Sequence, residues 1–219
     1  MNDLVKQMTP YSGQILRLTA MHLLLVLTAT ALAFLVAFPA GVWATRRKWN
    51  RYASALMNMA NVFQTVPSLA VIGISSALFT LIGAGVGWLP ALTALSLYSL
   101  LPILGNTIVG LSTVPFSVRH TGLASGMTSR QLLRQVELPL AMPLILNGLH
   151  TAFVINVGTA ALAASIGAEC LGTLIFQGIS TGKIPLLMAG AIPTAVLAIL
   201  IDIVFRLAEW KVRPHSHFS

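Results

Sequence analysis

The chain has 219 residues, of which 56% are hydrophobic and only 8% are charged. A soluble domain carries about 25% charged residues, so the composition excludes an ordinary soluble protein and predicts an all-α polytopic membrane protein. The net charge of +8 is compatible with nucleic-acid binding. The basic residues nevertheless cluster between apolar blocks, as cytoplasmic anchors of membrane spans do, so no nucleic-acid partner is expected.

The first apolar run covers residues 20–45 and is about as long as a bilayer crossing requires. A cleaved signal peptide is the competing interpretation, because Ala37–Gly41 offers small residues. The basic group that follows, Arg46–Arg51, is typical of a stop-transfer flank and favours a retained span. Residues 1–19 are mixed in character, and the sequence leaves open whether they lie on the membrane surface.

The second apolar block, residues 52–82, is too long for one straight span. Pro67 predicts a kink or a broken turn within it. Polar residues recur there at intervals of three and four and therefore share one helix face: Asn58, Asn61, Thr65 and Ser68. Hydrogen bonding between helices is the alternative role for each of them, but together they are candidates for a translocation path.

Three more spans bring the predicted number to about five, at residues 89–111, 139–166 and 186–210. In the last of these, Asp202 and Arg206 are four positions apart and are predicted to form an ion pair. Asn156 and Thr159 are neighbours on one face of the fourth span and join the predicted path. His150, in the same span, is expected to be a hydrogen-bonded structural residue. It has no second ligand at metal-binding spacing, and the chain has a single cysteine, so no metal site is predicted.

The longest polar interruption, Arg119–Pro143, separates the third and fourth spans. A first short helical piece is predicted at Thr121–Ser125 and is ended by Gly126. Thr128 with Gln131 then forms a capping box that predicts the start of a second short helix. Two prolines at its end fit the first turn of a new apolar helix. A compact, basic helix-turn-helix held at a membrane surface is typical of a docking element.

Charge predicts the orientation of the spans. Ten of the 13 lysine and arginine residues fall on the side of the docking loop, and the side with more positive charge faces the cytoplasm. The loop and the C-terminus are therefore expected inside and the N-terminus outside. The sequence also lacks a phosphate-binding G-x-x-x-x-G-K-[ST] loop, and its five acidic residues are scattered, so the chain is not expected to be an enzyme.

A family resemblance rests on the docking loop. Gly126, followed by Val136–Pro139 and Pro143, resembles the EAA loop of permease subunits in bacterial ATP-binding-cassette (ABC) importers. The chain departs from that pattern at His120, Thr121 and Gly122, where the family has Glu-Ala-Ala. Three further stretches resemble permeases that import glycine betaine, carnitine and choline: Asn61–Gly73, Leu97–Leu111 and Ile155–Ser180.

The resemblance implies a type I ABC importer (MetI-like) permease fold, in which residues 115–138 are a cytoplasmic coupling loop seated on the ATPase. The implied coupling residues are His120, Thr121, Gly122, Gly126, Thr128, Arg130, Arg134, Glu137 and Pro139. It also implies a multi-pass protein of the bacterial inner membrane, surrounded by lipid, that binds no cofactor itself. The implied partners are two cytoplasmic ATPase subunits that bind ATP, a second permease copy or paralogue, and a periplasmic binding protein.

Two other functions stay open at this point. One is a permease of the same architecture for another small solute, such as an amino acid. The other is a membrane-embedded assembly subunit that moves no solute. The predicted function is translocation of osmoprotectants.

Overall fold

The computed structural model describes residues 8–46, 57–58 and 65–212, and all regular structure in these ranges is helical. The α-helices bounded within them are α1 (Ser12–Ala44), α2 (Ser68–Leu81), α3 (Trp88–Ser112), α4 (Phe116–Ala124), α5 (Ser129–Leu132), α6 (Leu138–Leu162), α7 (Leu171–Thr181) and α8 (Ile184–Val212). Short 3-10 helices cover Thr9–Tyr11 and Ala163–Ile166, and a π-helical turn covers Leu133–Glu137.

Four stretches of the described residues are long and apolar enough to cross a membrane, and they correspond to the first, third, fourth and fifth predicted spans. They are Thr9–Ala44, Trp88–Ser112, Ser129–Ile166 and Ile184–Lys211. Of the second predicted span, the structure describes α2, a helix of 14 residues, and the helical pair Met57 and Asn58. Pro67 has extended backbone, with ψ 134°, directly before α2, which confirms the break at this proline.

The first helix begins earlier than the predicted start near residue 20. α1 has 33 residues, a length of about 50 Å against a hydrocarbon layer of about 30 Å. A helix of this length tilts in the bilayer or extends beyond its hydrocarbon layer. Near its start, Arg17 forms an exposed ion pair with Glu169, with 3.1 Å between nitrogen and oxygen.

α3 packs against both α1 and α6, and these contacts bury most of its length. Gly148 of α6 lies at the point of closest approach. A Cβ atom there would lie 2.6 Å from Cβ of Asn106 and 2.7 Å from the carbonyl oxygen of Pro102. Because helices in lipid associate through close backbone packing rather than a hydrophobic driving force, this glycine fixes the distance between α3 and α6.

Candidate functional site

α4 forms the first half of the loop between α3 and α6. It begins after Pro115 and runs to Ala124, so it is longer than the helical piece predicted at Thr121–Ser125. Its outer face carries Phe116, His120 and Leu123, all exposed. Gly122 faces inward, where a Cβ atom would lie 2.6 Å from Cδ1 of Leu132. α4 is thus held on the protein by small-residue packing while its aromatic and apolar face stays uncovered within the described residues.

Gly126 ends α4 in the left-handed conformation, with φ +83°. Its N–H donates to the carbonyl oxygen of Leu123 at 3.0 Å, and the N–H of Met127 donates to that of Gly122 at 3.1 Å. This pair of bonds is the Schellman motif, which favours glycine at the position after the helix cap. The predicted break at Gly126 is confirmed, and backbone conformation is its cause.

Thr128 begins the second helical part of the loop through a reciprocal capping box. Its hydroxyl accepts from the backbone N–H of Gln131 at 3.3 Å, and the Gln131 side chain accepts from the Thr128 N–H at 2.8 Å. This confirms the predicted cap. Leu132 is buried, whereas Arg130 and Arg134 are exposed on another side, where they line an open polar cleft with Gln135.

α6 begins at Leu138 with Pro139 in its first turn, as the sequence predicts, but it is not separated from the loop. α5 continues through the π-helical turn Leu133–Glu137 directly into α6. Proline has no N–H and its ring clashes with the preceding helical turn. The π turn lies directly before the proline, and such turns occur as single-turn bulges inside α-helices. The loop and the span therefore form one continuous helical body from Ser129 onward.

Glu137 lies at the end of this π turn and points into the protein, with only 3% of its surface exposed. One carboxylate oxygen lies 2.9 Å from Nη2 of Arg46, and the other lies 3.2 Å from Nε of Arg119. Glu137 is therefore buried, unlike most of the other residues of the expected coupling set. Of these, His120, Thr121, Gly126, Thr128, Arg130, Arg134 and Pro139 are exposed, and Gly122 is buried.

Residues 37–214 match the model of the family described as binding-protein-dependent transport system inner membrane component. This chain belongs to that family. It is therefore a transport permease and not an enzyme, and a multi-pass component of the inner membrane, as the apolar helices require.

Relatives of this permease match it over nearly its full length. It is 44% identical to the osmoprotectant import permease protein OsmW of Salmonella typhimurium, over 91% of this chain and 92% of that protein. It is 39% identical to the glycine betaine/carnitine/choline transport system permease protein OpuCB of Bacillus subtilis, over 98% and 95%.

The fold is that of MetI-like permeases. A chain from the inward-facing MetNI methionine ABC transporter superposes with a TM-score of 0.81, at 22% identity, covering 93% of this permease and 98% of that chain.

The residues predicted to line a translocation path occupy different environments in this permease. Asn61 lies outside the described residues. Thr65 is exposed and Ser68 is half-buried next to the Pro67 break. Asn156 is fully buried, and its amide donates to the hydroxyls of Thr30 at 3.0 Å and Ser99 at 2.6 Å. These contacts join α6 to α1 and α3, and the place of Asn156 on the path stays a prediction.

The two predicted path segments are nevertheless neighbours. Val66 packs in the same apolar cluster as Ile155 and Leu162 of α6, around Tyr98 of α3. The Tyr98 hydroxyl donates to the Val66 carbonyl oxygen. Thr159, which is 7% exposed, is on the same helix between Ile155 and Leu162. The predicted path residues therefore belong to one region of the permease, where the chain around Pro67 packs against α3 and α6.

A charged cluster between α6 and α8 extends beyond the pair predicted from the sequence. The predicted ion pair is present, with 2.7 Å between Nε of Arg206 and Asp202. His150 bridges this pair to Glu209, with its ring nitrogens 3.0 Å from Asp202 and 3.2 Å from Glu209. The sequence signal for this cluster was the spacing of three charged residues over two turns of α8: Asp202, Arg206 and Glu209. The spacing does not reveal the bridging residue His150, because it lies on another helix. The structural role expected for His150 is confirmed.

Cys170 lies between two helical segments at the Arg17–Glu169 end of the permease. It is buried, and its thiol donates to the carbonyl oxygen of Ala160 at 3.1 Å. Burial raises the pKa of the Cys170 thiol above its ordinary value, which disfavours the reactive thiolate. The residue is therefore a packing element in this structure.

Proposed function

We propose that this permease forms the translocation pathway of an ATP-driven importer for osmoprotectants, such as glycine betaine, choline and carnitine. The observation that carries the proposal is the identity of 36–44% to permeases whose names state these solutes, along 88–98% of the chain. By contrast, the likeness to the methionine transporter is 22% and supports the fold alone. A solute such as an amino acid is the second candidate, since the same fold serves it.

The energy for transport comes from two separate cytoplasmic ATPase subunits in this proposal. The chain contains no phosphate-binding loop of the G-x-x-x-x-G-K-[ST] type. The uncovered face of α4, with Phe116, His120 and Leu123, is the docking surface that we assign to the ATPase. Arg130 and Arg134 add positive charge beside it, and exposed charges of this kind strengthen association in a salt-dependent way.

The loop side faces the cytoplasm in this proposal, and the N-terminus faces outside. Arg46 contacts Glu137 at one end of the spans, and Arg17 contacts Glu169 at the other. The positive-inside rule assigns the first end to the cytoplasm, because most of the basic residues follow or flank it in the predicted topology. The periplasmic binding protein then delivers its solute to the end that carries Arg17.

Two permease copies, identical or paralogous, enclose the pathway between them, since one subunit of about five spans lines only part of a pore. Quaternary ammonium groups are usually held by aromatic faces, and only 7% of this chain is aromatic. We therefore assign tight solute recognition to the binding protein. The permease contributes weak and transient contacts along Thr65, Ser68 and Thr159, with Asn61 as a further candidate.

The test is the ATPase rate of the purified complex in the presence of its binding protein. A binding protein loaded with glycine betaine, choline or carnitine is expected to stimulate hydrolysis, whereas the same protein offered methionine or histidine is not. Stimulation by an amino acid alone would favour the second candidate. If no loaded binding protein changes the ATPase rate, the result would favour a subunit that moves no solute.

A further inference from the structure

Glu137 is the one buried carboxylate among the described residues. Burying a charge is unfavourable unless it is paired, and here two guanidinium groups approach the same carboxylate from different directions. Arg46 follows the end of α1, 91 positions earlier in the chain, while Arg119 lies on α4. Within the described residues, Nε of Arg119 and Oε2 of Glu137 make no hydrogen bond of good geometry, so the attraction is mainly coulombic.

Each of the two arginines also binds the carbonyl end of a different span. Nε of Arg46 donates to the carbonyl oxygen of Val42 in the last turn of α1, at 3.3 Å. Nη2 of Arg119 donates to the carbonyl oxygen of Leu111 in the last turn of α3. Basic side chains are favourable at helix C-termini, which lack intrahelical partners for their last carbonyl groups.

The charges in this cluster balance closely. The two arginines contribute two positive charges, and Glu137 contributes one negative charge. Two helix C-termini add about half a negative charge each. The carboxylate therefore offsets the repulsion between the two arginines. Both can then remain at the ends of α1 and α3 although they face each other in a buried site.

We propose that Glu137 is a positioning residue for energy coupling, clamping the coupling loop to the inner ends of α1 and α3. Arg119 belongs to α4, the helix assigned to the ATPase, and Glu137 belongs to the body that continues into α6. A displacement of α4 is thereby transmitted to three spans at once: α1, α3 and α6. This inference rests on the proposed function, because it describes how ATP-driven movement of the loop reaches the pathway.

The test compares Glu137→Gln with the parental complex in proteoliposomes, measuring solute taken up per ATP hydrolysed. The amide keeps the shape and removes the charge. We expect the variant to insert and to hydrolyse ATP, while uptake per ATP falls by about five- to a hundredfold, the usual range of coupling between distant sites. Glu137→Asp, which retains the charge, is expected to restore much of the ratio. Glu209→Gln removes the same group from the contact with His150 between α6 and α8, away from both docking surfaces. It is the matched control and is expected to keep nearly the parental ratio.

A purely structural role would lower uptake and hydrolysis together, in proportion to the amount of assembled complex, and leave the ratio unchanged. That result overturns the inference.

If Glu137→Gln fails to accumulate, the triple variant Arg46→Gln/Arg119→Gln/Glu137→Gln leaves no unpaired buried charge and so restores folding. It is expected to be uncoupled as well, and parental coupling in it contradicts the inference. If the parental complex transports no quaternary ammonium compound, the proposed function and the inference both fail. If the parent transports and Glu137→Gln has the same uptake per ATP, only the inference fails.

Discussion

Gly126→Asp is expected to abolish uptake without preventing membrane insertion. Gly126 is exposed and has φ +83°, and a Cβ atom added there meets no heavy atom within 4 Å. The substitution therefore carries no steric clash, only the unfavourable left-handed backbone, which costs about 1–2 kcal/mol for most residues and less for Asp and Asn. A loss of that size is less than a typical stability of about 5–15 kcal/mol, so the protein is expected to remain folded. The larger effect is a new negative charge in the turn between α4 and α5, on the surface assigned to the ATPase.

The assay measures three quantities for each variant: protein in the membrane, ATPase copurified with it, and uptake driven by the loaded binding protein. Gly126→Asn adds nearly the same bulk without charge and separates the two effects. Gly85→Asp is the matched control, because Gly85 is also exposed, has φ +74° and open space around its Cβ position, but lies in the turn between α2 and α3. It is expected to transport at nearly the parental rate.

Gly126→Asp is expected either to lose the ATPase or to hydrolyse ATP independently of the binding protein. If it assembles, transports and responds to the loaded binding protein as the parent does, this turn is not part of the coupling surface. If both aspartate variants lose uptake equally, the effect is general and the assignment of this surface also fails.

Three other predictions concern topology, docking and packing. A cysteine at Ser129 is expected to react with a membrane-impermeant maleimide only from the cytoplasmic side, and one at Gly85 only from outside; the reverse pattern would invert the topology. Replacing Arg130 and Arg134 together with glutamine is expected to weaken ATPase binding moderately, with the difference from the parent shrinking as salt rises. Gly148→Ala forces α3 and α6 apart, and overpacking of this kind typically costs about 1–3 kcal/mol. The variant is therefore expected to have a lower thermal aggregation midpoint than the parent.

Two features of the chain supply controls for these measurements. Gly158 is on α6 like Gly148, but a Cβ atom there meets no heavy atom within 4 Å, so Gly158→Ala should leave the aggregation midpoint nearly unchanged. Equal losses at both positions would refute the close-approach argument. Cys170 is buried and its thiol pKa is raised by burial, so the parental protein should give no maleimide signal and serves as the blank.

Local signals in the sequence were sufficient to predict the turn at Gly126 and the start of the second helix of the loop. The left-handed glycine at 126 and the capping box of Thr128 with Gln131 both depend on residues within a few positions of each other. The break at Pro67 is local for the same reason. The position of Pro139 in the first turn of α6 is local as well. By contrast, the sequence carries no local sign of the π turn that joins α5 to α6.

Long-range contacts account for what the sequence did not predict. The carboxylate of Glu137 is 91 positions from Arg46, and Asn156 is 126 positions from its partner Thr30. Helical periodicity identifies which residues share a face, but not which face meets another helix and which meets a pathway. Helical periodicity placed Asn156 on the predicted path, whereas the family resemblance placed Glu137 in the coupling set. The structure buries both residues, and their functional roles stay predictions.

The measurement that tests the central claim most directly is uptake of labelled glycine betaine by proteoliposomes that contain the complete complex. ATP is enclosed in the vesicles, and the loaded binding protein is added outside. Uptake is expected to require both components and to be reduced by unlabelled choline and carnitine, but not by methionine. Absence of ATP-dependent uptake, or competition by amino acids alone, would contradict the assignment of this permease to osmoprotectant import.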